Sequence, residues 1–109
     1  MSAPHFFSFG YESPDEFRWN RANGTDDESS AGFWITGESE QEALQWGQTV
    51  AERFVAWLFE RAGDEGYSWT EGQFANWIET DPSVLAACRA AKLPAVFVGE
   101  DPSFEALAN

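Results

Sequence analysis

Residues 40–62 constrain the fold of this chain more than any other segment. Projected at about 3.6 residues per turn, Ala43, Leu44, Gly47, Val50, Ala51, Phe54, Val55, Leu58 and Ala62 form one stripe. Trp46 and Trp57 widen the stripe on one side and Phe59 on the other. The apolar arc reaches roughly 200°, where a surface helix needs about 100°. Ser39 and Glu42 have the spacing of a capping box, and Glu38, Glu40 and Glu42 place negative charge where the helix dipole favours it. Gly63 supplies a C-terminal stop. A helix this apolar is packed on more than one side, or it keeps an aromatic flank for a partner. The second case leaves a homo-oligomer open.

The segments before this helix read as strands. In residues 5–11, Phe7, Phe9 and Tyr11 alternate with Ser8 and Gly10, the period of a half-buried strand. Residues 16–21 alternate again, with Phe17 and Trp19 on one face and Arg18 and Asn20 on the other. A hairpin is the preferred reading. The competing reading is a short helix over 14–21, because Ser13 and Glu16 around Pro14 also form a capping signature. Residues 22–31 hold no large apolar side chain and read as an exposed acidic loop, containing the turn pair Asn23-Gly24 and then Asp26, Asp27 and Glu28. Residues 32–36, Gly-Phe-Trp-Ile-Thr, read as a third strand.

After the long helix comes a loop with Asp64 and Glu65. Thr70 and Gln73 have capping-box spacing, which predicts a short helix to about residue 79 that buries Phe74, Trp77 and Ile78. Asp81-Pro82 opens a further helix, and Pro94 ends it before the strand-like run 95–98. Asp101-Pro102-Ser103-Phe104 echoes Asp81-Pro82-Ser83-Val84. Helix-start chemistry explains the echo, and the last residues read as a short terminal helix. The expected architecture is one α+β domain over residues 1–109. A small antiparallel sheet of three to four strands carries the 40–62 helix on one face, with two or three short helices beside it.

Composition supplies the core and limits the partners. Ten Phe, six Trp and two Tyr are ample apolar material for a chain of 109 residues, which rules out a disordered reading. Six Lys and Arg stand against nineteen Asp and Glu, for a net charge of −13. That field repels phosphate backbones and anionic lipid, so neither nucleic acid nor a membrane surface is an expected partner. Residues 1–10 lack the basic and apolar regions of a signal peptide, and no window has the apolar length of a membrane span. The one cysteine, Cys88, admits no internal disulfide. These features predict a cytoplasmic protein.

No catalytic constellation is legible. Gly37-Glu38-Ser39-Glu40-Gln41 begins like a nucleophile elbow but ends in Gln where the final Gly must stand. A helix cap already explains Ser39, and His5 is the sole histidine. One His and one Cys do not make a zinc site. The contiguous acids 26–28 lack the alternating oxygen spacing of a calcium loop. No phosphate-binding loop occurs. No metal or cofactor is expected.

What remains is an acidic surface beside a surplus of aromatics. This points to a non-enzymatic protein-binding module that neutralises a basic partner in the manner of a toxin-immunity protein. The candidate contact residues are Asp26, Asp27, Glu28, Asp64 and Glu65. The alternative is a small-molecule or carbohydrate binder using Trp faces, which needs a pocket lined by two or more Trp. The third reading is an enzyme with carboxylate chemistry, which needs a buried, perturbed carboxylate in a cleft.

Overall fold

The computed structural model describes residues 2–108. It contains a four-stranded sheet of order β3-β1-β2-β4, formed by β1 (Ala3–Tyr11), β2 (Ser29–Gly37), β3 (Asn76–Ile78) and β4 (Ala95–Phe97). β1 pairs antiparallel with β2 along its whole length, from Ala3 opposite Gly37 to Tyr11 opposite Ser29. β3 pairs antiparallel with β1, and β4 runs parallel to β2. The fold is therefore α+β with a mostly antiparallel sheet, as the sequence predicts, but one edge of the sheet is parallel.

The long helix α2 (Glu40–Arg61) crosses one face of the sheet. Ser39 caps it by accepting the Glu42 amide at 3.1 Å. Glu42 turns its own carboxylate to the amide of Glu38 rather than to that of Ser39, so the box is only half formed. Phe7, Phe9 and Tyr11 of β1 and Phe33 and Ile35 of β2 are buried against Val50, Ala51, Phe54 and Val55 of α2. Gly47 is the point of closest approach: the ring of Phe7 lies where a Cβ would stand.

The flanks of the wide arc are packed within the chain. The C-terminal segment lies along α2, where the Trp46 indole donates to the Glu100 carbonyl at 2.8 Å. Phe104 of α4 (Phe104–Ala108) packs on Trp57 and Phe54. Arg53 and Arg61 lie over the Trp46 and Trp57 rings. The helix is thus packed on two sides, by the sheet and by residues 100–107, and its aromatic flanks face this chain.

Two predicted elements are corrected. Residues 16–21 are not a strand but part of a helix, α1 (Pro14–Asn23), with a complete Ser13–Glu16 capping box and a left-handed Gly24 closing it. The alternation of Phe17 and Trp19 is real, but on a helix residues two apart point to nearly opposite sides. Phe17 packs on Phe59 and Tyr67, while Trp19 is 56 % exposed. Residues 70–79 do not form a helix either. A single 3-10 turn, Thr70–Gly72, stops at Gln73, whose φ of 54° is left-handed, and the chain then extends as β3. Ile78 faces the core and Trp77 the opposite side, 45 % exposed. The acidic loop is also shorter than 22–31, because α1 ends at Asn23 and β2 begins at Ser29.

The helix α3 (Pro82–Ala90) joins the two edge strands. Arg89 near its end lies 5.6 Å over the ring of Trp34, which places it on the sheet face away from α2. None of its residues is buried. No described helix is long and apolar enough to cross a membrane.

Candidate partner-binding surface

The two acidic loops predicted from sequence both pack on α1, Asp64 through Arg18 and Asp27 through Asn20. The loop at 26–28 is held by Asn20, only 8 % exposed. Its amide nitrogen donates to Glu12 at 2.7 Å and to the Asp27 carbonyl at 2.9 Å. Its oxygen accepts the Thr25 hydroxyl at 2.7 Å and the Asp27 amide at 2.9 Å. A buried amide with its main donors and acceptor so used fixes the loop that carries Asp26, Asp27 and Glu28.

On the other side of α1, Arg18 donates to Asp64 at 3.1 Å and to the carbonyl of Ala62 at 3.4 Å. It also reaches Asp15 at 3.3 Å. Arg21 stacks over Phe17 at 4.5 Å. Both cations of α1 are engaged within the chain, and Asp64 is paired, whereas Glu65 is exposed. Asp64 and Glu65 border a groove with Glu12, Tyr67 and Glu71. Asp26, Asp27 and Glu28 border a neighbouring groove that shares Glu12 and Gly72 with it. Glu12 thus stands between the two predicted clusters, holding Asn20 through one oxygen and the Tyr67 hydroxyl, at 3.0 Å, through the other.

Acidic residues that sequence reasoning missed complete this surface. Asp15, Glu16 and Trp19 of α1 line a shallow cleft with Asp27 and Glu28. The Ser13-Pro14-Asp15-Glu16 cap was the signal that could have found them, because a helix here projects Trp19 away from Phe17. Burial, followed by its hydrogen bond to Glu12, holds the Tyr67 phenol well above its ordinary range. Burial and then the charge of Glu16 raise Tyr11, partly offset by a hydrogen bond with Ser29.

The remaining singled-out residues lie elsewhere. His5 is half-buried on the α2 face of β1 and its Nε2 is buried without a hydrogen-bond partner. Cys88 is a half-buried free thiol on α3, on the other side of the sheet. The sheet therefore separates the histidine from the thiol. Among the described residues no group of three or more His, Cys, Asp and Glu side chains gathers with metal-binding geometry. A polar cleft of about 540 Å³ between α2 and the 3-10 turn contains one indole, Trp69. Its Glu52 carboxylate is taken up by the Ser68 hydroxyl and by the amide and hydroxyl of Thr70. No known protein family, curated protein or solved structure matches this chain.

Proposed function

We propose that the protein is a non-enzymatic binding module whose α1 end docks a basic protein and neutralises it. The observation that carries this reading is Trp19, more than half exposed and ringed by Asp15, Glu16, Asp27 and Glu28. Covering an exposed indole gains burial free energy, and indoles serve as interface anchors. Carboxylates around it are presented from a rigid helix and from a loop pinned by Asn20. They supply the field that speeds encounter with a cationic surface. A reducing, cytoplasmic setting suits the lone thiol of Cys88.

The test uses the purified chain as bait against its native lysate, with a charge-reversed bait (Asp15→Lys, Asp27→Lys, Glu28→Lys) in parallel. The expected result is a basic protein captured by the first and lost by the second. Its association rate should fall by about tenfold or more as salt is raised to shorten the screening length. Equal capture by both baits, or an association rate indifferent to salt, rejects the reading.

A further inference from the structure

We infer that the acidic-end half of β2 is a strand-addition site, which takes an extended, cationic segment of the partner protein beside Ser30 and Gly32. This rests on the proposed function and adds how the partner is held.

The argument begins with hydrogen bonds that β2 does not make. Its outward-facing backbone groups are those of Ser30, Gly32, Trp34 and Thr36, since Trp34 and Thr36 are the residues that bond β4. The Trp34 amide donates to the Pro94 carbonyl at 2.8 Å, and the Thr36 carbonyl accepts the Val98 amide at 3.0 Å. By the same spacing the Gly32 carbonyl faces the nitrogen of Pro94, which has no hydrogen to give. β4 pairs only with Trp34–Thr36, and before it the chain turns off the edge at Lys92, whose φ of 53° is left-handed. The edge of β2 at Ser30 and Gly32 is left with no strand beside it. A row of unpaired N–H and C=O groups is a template for another extended backbone.

The space beside this edge suits such a backbone. A cleft of about 670 Å³ opens at Ser30 and Gly32, lined also by Pro94, by the end of α4, and by Phe6 and Trp77 on the sheet face away from α2. The outer end of the Phe6 ring lies where a Cβ of Gly32 would stand, so the strand is approached here beside an aromatic ring and not across a side chain of its own. Charge then selects the occupant: the cleft has no Lys or Arg, and its one ionisable acid is Glu28. Glu28 also lines the shallow cleft around Trp19. A segment leaving a basic partner docked at α1 therefore reaches the β2 edge without a gap.

The probe is a short, N-acetylated and C-amidated peptide of alternating Lys and Val. It is compared with its version N-methylated on alternate residues and with an uncharged Thr/Val peptide. The readout is amide hydrogen exchange at Ser30 and Gly32 in the full chain. The cationic peptide should slow both amides by about tenfold or more. The N-methylated peptide, which lacks the donors and cannot approach, should not. Ser30→Pro removes an outward N–H without removing a β1–β2 bond and should abolish the protection, while Ser30→Ala should retain it. Equal protection by the N-methylated peptide, or none from the cationic one, overturns strand addition. In that case the charge-reversed bait still judges the basic-partner reading independently. Equal protection by the uncharged peptide overturns the cationic choice of occupant.

Discussion

Replacing Gly47 by Ala tests the helix–sheet contact directly, because two effects of opposite sign compete there. Gly47 lies in the interior of α2, where Ala is favoured over Gly by up to about 1 kcal/mol. The new Cβ, however, would stand 2.5 Å from Cδ1 and 2.7 Å from Cδ2 of Phe7. Phe7 cannot give way cheaply: it is fully buried and held between Phe9 and Phe33, with ring centroids 5.6 and 5.9 Å away. Overpacking of this kind costs about 1–3 kcal/mol, and the rigid surroundings place this site at the upper end. The net expectation is a loss of about 2 kcal/mol, despite the gain in helix propensity. Urea denaturation measures it, and a thermal scan should show Tm falling by roughly 10 °C. Trimming the ring in Phe7→Leu should make the Gly47→Ala cost smaller, so the two changes combine to less than their sum. A Gly47→Ala protein as stable as the parent, or more stable, would refute the close approach of α2 to β1.

Other perturbations probe the acidic end. Asn20→Ala strands the Asp27 amide and Glu12 in a part-buried setting, so it should cost about 2–3 kcal/mol and speed amide exchange at Asp27. Ser13→Ala removes one half of the α1 capping box and should lower stability by about 1 kcal/mol in a denaturant titration. Tyr67 keeps its proton more tightly when folded than when unfolded. Its contribution is therefore complete below pH 10.0 and declines as pH rises through and above that value. Thermal scans across this alkaline range should show Tyr67→Phe losing less stability with pH than the parent.

How much of this was legible depended on whether the deciding interaction was local. The α2 stripe, its Ser39 cap and the alternation of Phe7, Phe9 and Tyr11 are local and strong, and they placed the layers correctly. At residues 14–21 two local signals disagreed. The cap at Ser13 prevailed because Phe17 had a site against Phe59 and Tyr67 while Trp19 could remain in water. Phe74, Trp77 and Ile78 have helical spacing, but three residues of pairing with Phe7–Phe9 decided the conformation of that segment. Ser29, Ser30 and Ala31 carry no strand signal of their own. They are strand because Phe9, Gly10 and Tyr11 lie opposite them. The candidate surface was legible through Asp27, Glu28, Asp64 and Glu65. The proposed anchor, Trp19, was not, because its exposure depends on reading 14–21 as a helix.

The thin crossover α3 gives the molecule two tiers of cooperativity. The unit β1–β2–α2 is complete by Arg61 and contains nearly all the fully buried rings, whereas α3 contributes no buried residue. Opening α3 from Pro82 to Ala90 exposes little apolar area, so this segment should exchange its amides through a low-energy partial opening while the β1–β2 ladder exchanges only on global unfolding. Trp34, beneath Arg89, stands at the boundary between the tiers, and its emission would report the first opening while the core is still intact.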